Sequence, residues 1–406
     1  MFFLFEKKIS HNLKKIYILN FFMMFLVTIP IIVPYWQKLG LSIKEVYQLQ
    51  AVFGLMMIIL DVPAGYISDI FGRKKTLILV GLFNIITYQL LLRGTTFFDF
   101  VLFEISASFA FALYSGCDIA LIYDTLDSEK LSHNVEAHYL SKRVFYAQLG
   151  ETIAAFLGGI LAVKFLKLPL IVNSYTSIIP FFIALTLVEP ERKKLNSKEH
   201  IKNLKFIIHE LFFKSKFLTS LIVFNIFFGF STFVAVWSYQ VYWTELSIPL
   251  SYFGVLWAAF NLSVALIARF AVQIEKLVNP IMVIFFISIS PIIAYFGLSY
   301  FRSIWVLLFF LLFALTRGLN SVILQDGINS RVPSTIRATT FSICSLGMRG
   351  VFFIFGPMIG AEIDRNGVRS SYQILGICFS LGFIFIALPL LFQYKNFKKI
   401  KTKPLI

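Results

Sequence analysis

Apolar runs of about 20 residues recur along almost the whole chain, the first opening at Ile16 and the last closing at Phe392. At 1.5 Å of rise per residue, each is long enough to cross the ~30 Å hydrocarbon core of a bilayer as a helix. Composition agrees with that reading. Charged residues make up 14% of the chain, against roughly 25% in soluble domains, and 58% of it is hydrophobic. Too few charges remain to cover a water-facing surface.

The formal charge of +16 would suggest nucleic acid on a soluble protein. Here the basic residues sit in short loops between apolar runs, and no nucleic-acid motif accompanies them. Cys117, Cys344 and Cys378 all lie inside apolar segments, with no metal-ligand or disulfide spacing. They read as small hydrophobes, and no metal or cofactor is expected. No small-residue cleavage site follows the first run, so an uncleaved start is expected.

The runs predict an all-α membrane protein with twelve transmembrane spans: span 1, Ile16–Trp36; span 2, Val46–Ile67; span 3, Thr76–Leu92; span 4, Phe100–Tyr123; span 5, Val144–Val163; span 6, Leu170–Val188; span 7, Phe217–Tyr239; span 8, Ser251–Ala271; span 9, Pro280–Tyr300; span 10, Trp305–Gln325; span 11, Ala338–Ile359; and span 12, Tyr372–Phe392. The long polar stretch from 189 to 216 divides residues 1–188 from residues 217–406, which predicts two six-helix bundles joined by a linker. Of the 37 Lys and Arg, 27 fall on the side of the N-terminus, 8 on the other side and 2 within spans. Positive residues favour the cytoplasm, so both termini are expected there, in a multi-pass protein of a bacterial inner membrane.

The halves are weakly alike. Gly116, Asp118, Ile122 and Asp124 match Gly318, Asn320, Leu324 and Asp326 at a constant offset of 202. The same offset sets Gly158 and Gly159 against Gly360 and Ala361. Such internal repeats are common in transporters.

Between spans 2 and 3 the chain reads Asp61-Val-Pro-Ala-Gly65-Tyr-Ile-Ser-Asp69-Ile-Phe-Gly72-Arg73-Lys74-Lys75. This resembles the signature loop of the major facilitator superfamily, G-x-x-x-D-x-x-G-R-K/R, in the branch that includes some tetracycline and drug exporters. The stretch Ser115 to Asp124 is also family-like. The resemblance implies two pseudo-symmetric six-helix bundles and secondary transport by alternating access. It also implies a cytoplasmic gate containing Asp61, Gly65, Asp69, Gly72, Arg73 and Lys74. Read physically, Gly65 would let span 2 approach a neighbour closely, Gly72 would allow a tight turn, and Arg73 and Lys74 would anchor span 3 at the headgroups. Two departures stand out. Exporters of the family often carry G-x-x-x-G-P-x-x-G-G in span 5, where this chain has Ala154-Ala155 in place of Gly-Pro. The family's frequent arginine within span 4 is absent.

Ionisable groups inside spans are costly, so function is their default reading. Four stand out: Glu104 in span 4, Glu151 in span 5, Arg317 in span 10 and Arg349 in span 11. Counted from the cytoplasmic end, Glu151 lies ~10 Å deep, Arg317 ~12 Å and Arg349 ~16 Å. In the fold the chain resembles, spans 1, 4, 7 and 10 line a central cavity and spans 2, 5, 8 and 11 flank it. Arg317 and Arg349 are the expected substrate-binding residues, and Glu151, or else Glu104, the expected proton carrier. The alternative is a pair of structural ion pairs. Asp124 is expected to cap a helix or pair with Arg143.

The expected function is secondary transport of a small solute, coupled to protons, with an organic anion such as a carboxylate or a carboxylate siderophore as substrate. The alternative is a proton-antiport exporter of drugs or metabolites; a non-transporting receptor or membrane enzyme is a third. No nucleophile with a partnered base is present, so no enzymatic activity is expected. The expected partners are the substrate, protons and the lipid bilayer, with the chain acting as a monomer.

Overall fold

The computed structural model describes residues 2–128, 136–190, 215–332 and 337–400, and the described residues contain no strand. Most of the expected 189–216 linker, with its basic residues from Arg192 to Lys214, lies outside them. The architecture is all-α, as the apolar runs dictate: within lipid a helix satisfies its own backbone donors and acceptors.

Among the described residues, ten stretches are long and apolar enough to cross a membrane. One of them, Thr340–Tyr394, would be about 80 Å long as a single helix, and its backbone leaves the helical region at Gly367 (φ +83°). It therefore holds two passes, spans 11 and 12. Span 1 is not among the ten because it is broken. The helix Phe2–Met23 stops, a short 3-10 turn covers Ile29–Ile31, and Ile32–Lys38 completes the crossing. Pro30 opens the 3-10 turn, where its missing N–H costs nothing. Twelve passes result among the described residues.

Several passes that read as continuous in sequence are interrupted. Span 4 consists of Phe97–Tyr114 and Cys117–Ser128, separated at Gly116 with φ +82°. Span 6 divides into Leu168–Thr176 and Ile179–Thr186, with Pro180 in the first turn of the second piece. Span 10 starts as a 3-10 turn, becomes an α-helix over Phe310–Leu319 and widens to a π-turn over Asn320–Leu324. Spans 4 and 10 are thus both irregular, and the offset of 202 carries Gly116 onto Gly318, two residues before the π-turn.

By packing, the chain divides into two units. The first comprises Met1–Leu41, Gln48–Asn196 and Ile248–Ala258; the second comprises Ser42–Tyr47, Ser197–Ser247 and Ala259–Ile406. In the first, spans 5 and 8 meet at small residues. A Cβ on Gly254 would stand 2.0 Å from the Ala155 carbonyl oxygen, and one on Gly159 would stand 2.8 Å from that of Ser251. The core of the second unit is aromatic. Tyr295 stacks on Phe379 (5.5 Å, 4°) and meets Phe313 edge-on (4.8 Å, 68°). Such ring pairs add about 0.5–1.5 kcal/mol each beyond their area.

The first turn of the helix that starts at Ile43 is fully provided for. The Ile43 and Lys44 N–H groups donate to Oδ1 and Oδ2 of Asp364, each at 2.8 Å. The Glu45 N–H donates to Ser42 Oγ at 3.2 Å and the Ser42 N–H to Glu45 Oε2 at 2.8 Å. Four donors that a helix start leaves open all find acceptors.

Candidate functional site

The loop between spans 2 and 3 folds around Arg73. Its Nη1 donates to Asp69 Oδ1 at 2.6 Å and to Ser68 Oγ at 2.8 Å, and its Nε donates to Asp124 Oδ2 at 3.1 Å. Asp69 and Arg73 are four residues apart, one turn along the local path of the chain. Asp69 is 45% exposed, so that contact alone contributes little. Asp124 is less exposed and ties the loop to the far end of span 4.

Glu189, at the end of span 6, was not expected in this cluster. Its Oε1 accepts from the Arg73 N–H at 2.8 Å and its Oε2 from the Lys74 N–H at 2.6 Å. A carboxylate over a helix N-terminus satisfies open donors and complements the helix dipole. Gly72 makes this possible twice over. Its φ is +101°, and a Cβ there would stand 2.8 Å from Glu189 Oε1. The sequence offered one signal for Glu189: it is an acid followed by proline where a span leaves the membrane.

Two expectations about this region need correction. Gly65 is not a point of close helix approach, because a Cβ there meets nothing within 4 Å among the described residues. Asp124 does not pair with Arg143. Arg143 Nε donates to Asp118 Oδ2, and Asp124 goes to Arg73. Six residues of helix turn the side chain by about 240°, so Asp118 and Asp124 serve different faces. Asp61 is half-buried two residues before Pro63, and Lys74 is half-buried beside Arg73.

The Asp118–Arg143 contact sits at the break in span 4. Asp118 has no exposed surface, and among the described residues its Oδ1 has no hydrogen-bond partner. Tyr114 ends the preceding helix, and its hydroxyl donates to Asn20 Oδ1 of span 1. In the second unit the matching positions are neutral: Asn225 Nδ2 of span 7 donates to Asn320 Oδ1 of span 10 at 2.8 Å.

The four intramembrane charges have distinct surroundings. Glu104 is 3% exposed and accepts from Gln50 Nε2 at 2.7 Å. It therefore faces span 2 inside the first unit. Glu151 is half-buried and accepts from Trp257 Nε1 of span 8 at 3.3 Å. Arg317 is exposed although it lies within a span, and Tyr239 of span 7 is its near neighbour. Arg349 is half-buried in span 11. Among the described residues no cluster of three potential metal ligands occurs.

A comparison with characterised proteins by sequence gives no match. Solved structures share the fold. The nucleoside transporter NupG superposes with a TM-score of 0.76 at 14% identity, covering 95% of this chain and 99% of that one. A bacterial homolog of the human lysosomal transporter Spinster gives 0.73 at 15% identity, covering 98% and 99%. A D-xylose-proton symporter gives 0.67 at 14%, covering 92% and 96%. Identities this low establish architecture alone. The profile of the Major Facilitator Superfamily matches residues 16–357, which include the Asp69–Arg73 loop and all four intramembrane charges. The chain belongs to the Major Facilitator Superfamily and is a multi-pass secondary transporter of small molecules.

Proposed function

We propose that the protein is a proton-coupled transporter of a small organic anion, acting as a monomer by alternating access in a bacterial inner membrane. The observation that carries this reading is Arg317: an arginine with an exposed side chain in the middle of an apolar span. Arginine stays charged, and its planar fork matches a carboxylate or phosphate. Arg349 supplies a second cation on a flanking span. A carboxylate, including a carboxylate siderophore, fits two such groups better than a cationic drug does. Glu151 is the proposed proton carrier, because it is the acid at similar depth and is only half-buried. Glu104 is next in line. The fold's occurrence in a D-xylose-proton symporter supports proton coupling as a use of this architecture. Asp69, Gly72, Arg73 and Lys74, with Asp61 and Gly65 before them, form the proposed cytoplasmic gate.

A second reading, proton-antiport export of drugs or metabolites, draws on a cleft of about 530 Å³ in the second unit. Phe227, Phe230, Phe355 and Phe379 line it, together with Glu362.

A thermal-shift screen of the purified protein against organic anions and cationic drugs separates the two, since a ligand of the folded state raises its apparent stability. Stabilisation by anions is expected. Arg317→Lys keeps the charge but loses the fork, and should weaken anion binding about tenfold. Glu151→Gln should retain counterflow in proteoliposomes yet lose accumulation driven by a pH gradient. Undiminished anion binding with both arginines changed to Gln would sink the anion reading and favour export.

A further inference from the structure

We propose that the cleft on spans 7, 11 and 12 of the second unit is a binding site for one membrane phospholipid with a primary-amine headgroup. An acyl chain fills the cleft, and the headgroup is held where spans 11 and 12 meet. This goes beyond the transport reading and takes the cleft away from the export alternative.

The walls set the depth of the site. Phe355 and Met358 of span 11 and Ile374 and Cys378 of span 12 are exposed, while Phe230 and Phe379 are buried behind them. The lining reaches from Glu362 along span 11 to Val351, about 16 Å at 1.5 Å per residue. That is about half of the ~30 Å hydrocarbon core, the depth of one leaflet. The leaflet is the one on the far side from the C-terminus, because span 12 leads from the Gly367 turn to the tail. The volume of about 530 Å³ falls within the range of small-ligand sites. Left empty, such walls would forfeit their dispersion contacts.

Apolar walls alone do not choose among lipids, because the surrounding bilayer is equally apolar. The choice falls to the two polar side chains of the cleft, Glu362 and Ser371, which stand on either side of the turn at Gly367. Ser371 is 1% exposed, and among the described residues its Oγ has no hydrogen-bond partner. Comparable hydroxyls are satisfied by the chain itself. Thr76, four residues after Gly72, donates back to the Gly72 carbonyl at 2.8 Å, and Ser380 donates to the Gly376 carbonyl at 2.7 Å. Ser371, four residues after Gly367, makes no such bond and lines the cleft instead. A buried hydroxyl without a partner is costly, and an ester or phosphate oxygen of a lipid would accept from it.

Glu362 sets the sign of the headgroup. It is half-buried and accepts from Asn366 Nδ2 at 2.7 Å. Arg369, beyond the same turn, is committed to Glu245 and to the Phe301 carbonyl. Among the described residues no Lys or Arg forms an ion pair with Glu362. A carboxylate at the headgroup level complements a cationic amine, and its oxygens accept from an ammonium N–H. A quaternary ammonium has no N–H to give, and a glycerol headgroup carries no positive charge. Among the described residues no Lys, Arg or His lines the cleft, so it does not suit the anion proposed as substrate.

The test is native mass spectrometry of the full chain in detergent, offered phosphatidylethanolamine, phosphatidylcholine and phosphatidylglycerol with identical acyl chains. The wild type should retain one phosphatidylethanolamine, preferred about tenfold over the other two, the worth of one charge-assisted hydrogen bond. Glu362→Gln should remove that preference. Ser371→Ala should weaken retention of all three lipids about threefold. Cys378→Trp, which puts a ring into the cleft, should abolish retention. Glu362→Gln lies at the headgroup level and tests the site even where Cys378→Trp does not insert. Equal retention of the three lipids by the wild type, a preference that survives Glu362→Gln, or retention that survives Cys378→Trp overturns the proposal. A wild type that retains none of the three also overturns it and returns the cleft to the export alternative.

Discussion

Gly72 carries two constraints at once, a left-handed backbone and a carboxylate where a side chain would begin. Gly72→Ala should therefore strain the turn and displace Glu189 from the start of span 3. The expected loss is about 1–3 kcal/mol, read as a lower unfolding temperature of the purified protein. Glu189→Gln retains the acceptor oxygen and should lose less. Residues at this scale were unequally legible. Asp69 and Arg73 announce themselves because both lie in one short loop with fixed spacing. The pairing of Arg143 with Asp118 rather than Asp124 was not legible, because which face of span 4 each acid occupies depends on the break at Gly116. Nothing in an apolar run marks such a break except the glycine itself. Gly65 shows the opposite error: a small residue suggests a close contact, yet among the described residues nothing lies within 4 Å of a Cβ there.

At the scale of elements, hydropathy located the passes well and their interruptions poorly. Spans 1 and 6 break at prolines, which sequence could have flagged. The π-turn of span 10 has no such marker, and its place is visible only beside the break in span 4. Irregular backbone within a membrane needs partners for the groups it frees, and π-turns often sit at functional positions. The contact between spans 5 and 8 gives a direct packing test. Gly254→Val would drive a side chain into the Ala155 carbonyl, and should cost about 1–3 kcal/mol or prevent insertion. Gly65→Ala is the matched control, with open space around it and a helical gain of roughly 0.5–1 kcal/mol. Fluorescence-detected thermostability of both variants, side by side, decides the point. Equal stability would mean that the two spans do not rely on small residues at their contact.

For the whole molecule, family and helical architecture followed from run length and the loop between spans 2 and 3, since lipid leaves a chain like this few alternatives. Orientation rests on the distribution of Lys and Arg. Reporter fusions near Lys194 and in the C-terminal tail should both read cytoplasmic, and one near Ser247 should read external. An external tail would invert every depth assigned to Glu151, Arg317 and Arg349. The two packing units do not follow the order of the chain, because Ser42–Tyr47 belongs with the second unit and Ile248–Ala258 with the first. The Asp364 cap gives this a consequence in time. Its carboxylate lies 321 residues downstream of the Ile43 N–H that it receives. During synthesis span 2 enters the membrane long before Asp364 is made. The first turn of span 2 must stay hydrated, or find a temporary acceptor, until span 11 arrives, so an early helix is completed by nearly the last piece of the chain to leave the ribosome.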